Sequence, residues 1–422
     1  MSMIKLKDLI VEVNCVPYRI DMKRNKLKTI ISECLSEVRG ENINEFKLIS
    51  LEDFLKSSLN EADFLGATTR EVPDEEMSGY LKTTVAGEKT PKQRFEMPYV
   101  HASNIEIKDE NDKTIDLEAL KALIKTRPTE LLKQNEKIQH SGGSEYGFTQ
   151  FHNIGIPALK GLVVDERTNK FMIVDTCPGA GRCPVYCYAR KGGYIQFPAS
   201  SLSLSKVLNF LVNDPDGFSS LLGSEISSFV SAGKRLVGHG LVKDIKHVIR
   251  WHDAGDFFSP DYLALAYSIA RKFPMVDFYA YTKLASVALG EKPDNFIINF
   301  SMGAKREEEE QIDFTQTKNS TVVPKSDFLD LLKTEPGKGK KPKFVRDKKG
   351  RVEFKDASGL DTLKDRMAKK YKVEKDSILT YDELQSTPVS NELRKYNIIV
   401  RPKDGDDSAS RKDVLGSYLL IH

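Results

Sequence analysis

Residues 244–283 read DIKHVIRWHDAGDFFSPDYLALAYSIARKFPMVDFYAYTK, which combines a strand pattern, a polar turn, a helix pattern and a second strand pattern. Ser259 and Pro260 supply an N-cap and a proline at the first helical position. The helix that follows carries apolar or small side chains at helical spacing, namely Leu263, Ala266, Tyr267 and Ala270. Because parallel neighbouring strands need a crossover connection of this kind, the stretch predicts a βαβ unit.

The alternation of strands and helices continues on both sides of this unit. Helix patterns precede it between 202 and 232, and another strand pattern follows at 295–303. Further upstream, 161–165 and 171–175 read as strands that flank a turn. The sequence therefore predicts an α/β core with parallel strands over residues 141–332.

The regions on either side of this core differ from it in composition. Residues 1–140 combine charged helical stretches, at 26–38 and 115–134, with polar loops, which predicts an α-rich accessory region. Residues 333–422 begin with a stretch rich in Gly, Pro and Lys, typical of an exposed linker, and continue as a small α+β extension. We expect the chemistry to lie in the middle region.

Composition limits the environment of the protein. The 422 residues carry a net charge of +3 and are 40% hydrophobic, which is typical of a globular protein without a dominant charged partner. We find no apolar run long enough to cross a bilayer, and the first residues lack a secretory signal pattern. Five cysteines, an odd number, fit a reducing compartment. These features predict a cytoplasmic protein with no membrane partner.

Polar side chains follow the predicted strands at the points where the strands end. Cys177 follows the first strand pattern, and Thr282 and Lys283 follow the third. The second ends in a polar group, His252, Asp253, Gly255 and Asp256. In parallel α/β folds the chemistry sits at the carboxyl ends of the strands. We therefore expect these segments to converge on one site. Lys283 either contacts a carboxylate or phosphate there or is a simple surface lysine.

Three cysteines lie in the segment DTCPGAGRCPVYCYA, residues 175–189. Cys183 and Cys187 are four residues apart, so on one helical turn or in a compact loop both sulfurs point the same way. Cys177 reaches them across a Pro-Gly-Ala-Gly stretch, where Gly179 and Gly181 allow close approach of the backbone. Three thiols can thus meet at one ion or cluster.

Three chemistries fit this arrangement. A [4Fe–4S] cluster can be bound by three cysteines with its fourth iron open to an external ligand. A structural zinc site needs four ligands, and a fourth is available in His252, His152 or His101. The third possibility, a disulfide with a spare thiol, is disfavoured by the expected compartment.

The cysteine segment resembles the cluster loop of the radical SAM superfamily, in which three cysteines hold a [4Fe–4S] cluster that binds S-adenosylmethionine. More closely, TCPGAGRCPVYCYA followed by RWHDAGDFFS and FYAYTK resembles the phage family called gene product 88. The resemblance covers roughly residues 141–303 and implies a radical-SAM-like partial (β/α) barrel. The cysteine spacing here is Cx₅Cx₃C, whereas Cx₃Cx₂C is common in the superfamily.

The resemblance also implies roles for individual residues. Cys177, Cys183 and Cys187 would be the cluster ligands, and Tyr186 would lie near the adenine of S-adenosylmethionine. The stretch from Asp253 to Asp256 would occupy the place of the motif that receives the methionine amino group.

Two function classes follow from the sequence. The first is a radical-SAM-like enzyme in the cytoplasm of an infected cell, which needs an external electron donor. Five aromatic residues at the strand ends either line its substrate site or pack in the core: Trp251, Phe257, Phe258, Tyr279 and Tyr281. The second is a non-enzymatic module stabilised by zinc or a cluster, which binds nucleic acid through the Lys-rich segment 338–351.

Overall fold

The structure is a computed structural model, and it describes residues 64–79, 106–108, 113–134, 138, 143–144, 147–190, 194, 198–336, 343–405 and 407–420. The helix predicted at 26–38, the histidine at 101 and residues 338–342 of the Lys-rich segment lie outside these ranges.

Strands occur along all of the longer described ranges. Their bounds are β1 Thr69–Val72, β2 Glu106–Lys108, β3 Lys113–Ile115, β4 Gly143–Ser144, β5 Gly147–Ile154, β6 Lys160–Asp165, β7 Lys170–Asp175, β8 Ile245–Trp251, β9 Val276–Thr282, β10 Phe296–Ser301, β11 Asn319–Val323, β12 Thr334–Glu335, β13 Lys343–Phe344, β14 Ile378–Thr380, β15 Tyr396–Val400 and β16 Val414–Leu420.

The α-helices of the described residues lie mostly between these strands. Their bounds are α1 Leu117–Lys125, α2 Pro198–Asn213, α3 Pro215–Gly238, α4 Pro260–Lys272, α5 Ala285–Leu289, α6 Arg306–Glu309, α7 Ala357–Tyr371, α8 Tyr381–Gln385 and α9 Asp407–Ser410. Short 3₁₀ turns occupy Phe64–Gly66, Asp74–Gly79, Cys183–Val185, Tyr188–Arg190, Lys325–Asp327, Leu329–Leu331 and Lys375–Ser377.

The largest sheet has the strand order β14-β15-β16-β11-β10-β9-β8-β5-β4. Neighbouring strands from β14 to β5 are all parallel, and β4 adds an antiparallel edge to β5. The predicted mixed α/β architecture with parallel strands is confirmed. The chain adds β8 to β11 one after another, continues to β14 at the far edge and returns through β15 to β16 beside β11. Residues 378–420 therefore extend the same sheet.

Helix α4 shows how local sequence sets these elements. The Ser259 hydroxyl accepts a hydrogen bond from the Tyr262 N–H at 3.1 Å, and Pro260 occupies the first turn, as the sequence predicts. Its inward face buries Tyr262, Ala266 and Ala270. Burying this apolar face against the sheet stabilises the helix more than its intrinsic propensity does.

The two faces of the parallel sheet bury different sets of side chains because successive strand residues point to opposite sides. One face packs against the long helices in a core that includes Trp251, Phe278 and Phe296. The other face places Val248 and Tyr279 in a smaller core, which Ala409 of α9 joins. We call this second side the inner face. Both faces are covered, as parallel sheets require.

One expectation about the core is wrong. The strand pattern at 171–175, which leads into the cysteines, does not belong to the parallel sheet. It forms β7, which pairs antiparallel with β6 and β1 in a separate sheet. Only four residues, 166–169, join β6 to β7, and so short a connection permits only an antiparallel hairpin. The first parallel strand is β5 at 147–154 instead.

Among the described residues, none of the helices combines the length and the apolar character needed to cross a membrane.

Candidate functional site

The cysteine segment, residues 175–189, lies against the carboxyl ends of the parallel strands. The Asp256 N–H, which follows β8, donates to the Thr176 carbonyl at 2.9 Å. After β10, the Gly303 carbonyl accepts the Cys183 N–H at 2.9 Å, and the Lys305 N–H donates to the Gly179 carbonyl at 2.8 Å. Although β7 belongs to another sheet, the cysteines thus reach the expected edge.

Glycine is required where the cysteine segment touches the strand ends. A Cβ atom on Gly181 would stand 2.1 Å from the Ala304 carbonyl oxygen, and one on Gly179 would stand 2.5 Å from the Lys283 carbonyl oxygen. Gly303 has φ +90° and lies under the hydroxyl of Tyr186, whose O–H donates to the Met302 carbonyl at 3.3 Å. These contacts hold the segment close to the sheet.

We expect Gly181→Ala to destabilise the protein by about 1–3 kcal/mol, because the new methyl group meets backbone that cannot move without disturbing β10. Gly238→Ala is the matched control, since a Cβ atom there meets nothing within 4 Å, and it should leave stability unchanged or raise it by up to about 1 kcal/mol. Urea unfolding of both variants measures the difference, and equal values would contradict the packing argument.

The three thiols differ in environment. Cys187 is buried and packs with Ala158 and Ala254, so it touches the turn that follows β8. A hydrogen bond from Cys187, together with the positive charge of Lys283, lowers the pKa of Cys183 to about 6. The same contact with Cys183, with burial, raises the pKa of Cys187, and burial beside Asp256 raises that of Cys177. Cys183 is therefore the thiol that ionises first.

Backbone N–H groups point at two of the sulfurs. The Leu159 N–H donates to the Cys177 Sγ at 3.2 Å, and the Ala189 N–H donates to the Cys187 thiol. Such donors stabilise thiolates and commonly surround metal-bound cysteines. In the described part of the chain, no group of three His, Cys, Asp or Glu side chains is placed to hold a metal ion.

The histidines proposed as a fourth zinc ligand do not approach the thiols. The ring of His152 packs edge-to-face against Phe229, with the ring centroids 4.1 Å apart. His252 is buried among aromatic rings, and its Nε2 lies 2.7 Å from the Tyr262 hydroxyl. His101 falls outside the described residues. The side chains of the two described histidines, His152 and His252, pack in the core between the sheet and the helices.

His252 ends β8 with φ +72°, a backbone conformation that turns its ring into the core. The Tyr262 hydroxyl accepts the Trp251 Nε1–H at 3.1 Å and is therefore oriented to donate to His252. Burial, and then the charge of Arg250, lower the pKa of His252 to about 3. In the pH range where His252 of the unfolded chain becomes protonated, the ring in the folded protein stays neutral.

This burial predicts acid sensitivity. Between pH 6.5 and 3 the unfolded state binds a proton at His252 that the folded state does not, so stability falls as the pH falls. From pH 7 to pH 5 the loss is about 2 kcal/mol. Asparagine tolerates positive φ and does not titrate, so the stability of His252→Asn should fall by about 2 kcal/mol less than that of the wild type between pH 7 and pH 5. Urea unfolding of both proteins at pH 7 and pH 5 measures these losses. An equal loss of stability in the wild type and in His252→Asn would disprove the role assigned to His252.

Asp256 lies at the centre of the hydrogen bonds at this edge. It is 3% exposed, and its carboxylate accepts the N–H of Phe257 at 2.7 Å and of Lys283 at 2.8 Å. Burial raises its pKa to about 6, although these donors and the Thr282 hydroxyl oppose the shift. Asp253, 8% exposed, instead accepts the Tyr194 hydroxyl at 3.1 Å. Gly255 has φ +86° and packs on Ile156.

Of the aromatic side chains expected to wall a site, most are in the core. Trp251, Phe257 and Tyr279 are fully buried, and Phe258 is nearly so. Tyr281 is half-buried on the inner face, and the Arg250 guanidinium lies 5.0 Å from its ring centre.

Sequence reasoning missed several residues at this edge. The Arg250 guanidinium donates to the Tyr188 hydroxyl at 3.1 Å and so links β8 to the cysteine segment. In the acidic run after Arg306, Glu309 accepts the Gly303 and Ala304 N–H groups and Glu308 accepts the Ala285 N–H. No spacing rule would have revealed these contacts, because each joins separate segments.

The Lys-rich segment 338–351 is described only from 343 onward. In that part, Arg351 is 8% exposed and binds the carboxylates of Asp347, Asp382 and Asp404. It is therefore a structural residue, whereas Lys348 and Lys349 are exposed.

The fold and this edge define an α/β protein in which a three-cysteine segment lies across the carboxyl ends of a parallel sheet. The family model of gene product 88 matches residues 128–376, and the chain belongs to this family. The Gene 88 proteins of Mycobacterium phages L5 and D29 are each 28% identical to it over 154 residues. The match covers 36% of this chain and 56% of each relative, so the chain spans little more than half of their length. No solved structure matches.

Proposed function

We propose that this protein is a radical-SAM-type iron–sulfur protein, in which Cys177, Cys183 and Cys187 bind a [4Fe–4S] cluster that acts on S-adenosylmethionine and an unidentified substrate. The observation that carries the proposal is the collection of three thiols at the carboxyl edge of a parallel sheet, with backbone N–H groups directed at two of them. Zinc is the weaker candidate because the described histidines at 152 and 252 are engaged in the core.

The chain's own residues would prepare the site in three ways. Gly179 and Gly181 bring the cysteine segment into backbone contact with the ends of β9 and β10, which fixes the thiols. The N–H groups of Leu159 and Ala189 stabilise negative charge on sulfur. Contact of Cys187 with Ala254 brings the turn 253–256, which would receive the methionine amino group, beside the cluster. A bound cluster of this type supplies one-electron reduction of S-adenosylmethionine.

The first test is the metal content of the full chain. After anaerobic reconstitution with iron and sulfide, we expect about four irons and four sulfides per chain. The variant with alanine at 177, 183 and 187 should bind neither. The control replaces Cys15 and Cys34 with alanine and should retain the cluster. A wild-type chain with about one zinc and no sulfide would refute the proposal and indicate a zinc-stabilised module.

A second measurement tests the finer part of the proposal. The reconstituted protein is incubated with S-adenosylmethionine and dithionite, an external electron donor, and the release of 5′-deoxyadenosine is measured. Release that depends on all three cysteines supports radical chemistry. A loaded cluster with no binding of S-adenosylmethionine would limit the protein to an iron–sulfur protein of another kind.

A further inference from the structure

The side chain of Lys283 is fixed at the carboxyl edge. It is 8% exposed, and its Nζ donates to the Ser301 carbonyl at 3.0 Å, the Ser301 hydroxyl at 2.9 Å and the Met302 carbonyl at 2.9 Å. These three contacts fix the ammonium at the end of β10. The contact of Lys283 with a carboxylate or phosphate, expected from the sequence, stays a prediction.

The three acceptors are neutral, so the charge of Lys283 is not cancelled by them. In the described residues, none of the carboxylates forms an ion pair with its ammonium; Asp256 instead accepts the backbone N–H of Lys283. Its carbonyl and hydroxyl partners replace water around the buried cation. Because the group is desolvated, its field is screened far less than that of a surface lysine.

This fixed charge lies beside Cys183. The Cys183 N–H bonds to Gly303, which directly follows the Met302 carbonyl that Lys283 binds. The positive charge of Lys283 and a hydrogen bond from its side chain both lower the pKa of the Cys183 thiol, which agrees with this proximity. The ammonium therefore acts on the sulfur through its charge as well as through this contact.

We propose that Lys283 is a positioning residue of the thiol centre that raises the reduction potential of the cluster through a fixed positive charge beside Cys183. This inference rests on the proposed function. Reduction adds one negative charge to the cluster, and a nearby cation stabilises the reduced form relative to the oxidised one. Its hydrogen bonds to β10 hold that charge at a constant place.

The test is a redox titration of the full reconstituted chain, in which dithionite gives one electron to each cluster and no protein bond changes. The electron paramagnetic resonance signal of the reduced cluster measures the reduced fraction. In Lys283→Gln, which is neutral but keeps N–H donors, we expect the ratio of reduced to oxidised cluster at a fixed potential to fall by about tenfold or more. Lys283→Arg keeps the charge and should restore the ratio to within about threefold of wild type.

Lys305→Met is the matched control, because this exposed lysine also lies next to the cysteine segment but its charge is screened by solvent. Its potential should equal that of the wild type. A Lys283→Gln protein with full iron and sulfide content and an unchanged potential overturns the inference while the proposed function stands. If Lys283→Gln and Lys283→Met fail to fold or to bind iron while Lys283→Arg does both, the charge serves the structure and the inference is also wrong. Absence of iron and sulfide from the wild type refutes the proposed function itself.

Discussion

Asp256→Ala is expected to lower the free energy of unfolding by about 3 kcal/mol, because it removes the acceptor of two buried backbone N–H groups at once. Those N–H groups, of Phe257 and Lys283, lie on two different strand connections, so no local rearrangement can satisfy both. Urea unfolding at pH 7 measures the loss. After burial, the charge of Asp256 raises the pKa of Cys177, so we expect Cys177 to react faster with a thiol reagent in this variant.

Asp256→Asn distinguishes the effect of the hydrogen-bond acceptor on stability from the effect of the negative charge. The amide keeps one acceptor oxygen and avoids the desolvated carboxylate, whose burial raises the pKa to about 6 and so opposes folding at neutral pH. We expect about half the loss seen with alanine. The surface control is Asp244→Ala, in which an exposed carboxylate accepts only the N–H of Ile245, and it should change stability by at most about 0.5 kcal/mol. A similar loss in the control and in Asp256→Ala would contradict the role assigned to burial.

The parts of the fold that depend on local signals were predictable. Ser259 and Pro260 indicated the start of α4, because helix capping depends on residues that are adjacent in the sequence. The apolar runs indicated the strands at 276–282 and 296–301. The pairing of β7 was not predictable in the same way, since a strand carries no mark of the sheet that it joins. The short turn at 166–169 was the available signal, because only an antiparallel partner can follow it.

The site was predictable to a similar degree. Clustering of cysteines in the sequence, and the rule that strand ends converge, placed 177–187 near Asp256 and Lys283. The directions in which individual side chains point could not be predicted from the sequence. His252 lies within the same polar turn as Asp253, yet its positive φ sends the ring into the core. Glu309 reaches the strand end through tertiary contacts that charge patterning cannot distinguish from solvation.

The C-terminal region contains the second large effect. Arg351 is 10% exposed at its side chain and donates to Asp347 at 2.7 Å, to Asp382 at 2.7 Å and to Asp404 at 3.2 Å. Asp404 is completely buried, and Arg401 is its other cationic partner. Arg351→Ala leaves this carboxylate partly uncompensated in a low-dielectric environment, and we expect a loss of about 3 kcal/mol in the free energy of unfolding.

Arg366→Ala is the matched control for Arg351→Ala. Arg366 also makes a bidentate pair, with Asp330 at 2.8 Å, but the two side chains are 39% and 56% exposed. Water solvates both groups when the pair is broken, so we expect a loss of at most about 1 kcal/mol. Urea unfolding compares the variants, and equal losses would disprove the burial argument. Because Asp347, Asp382 and Asp404 come from three separate segments, a large effect at Arg351 would also mean that this cation stabilises the C-terminal region.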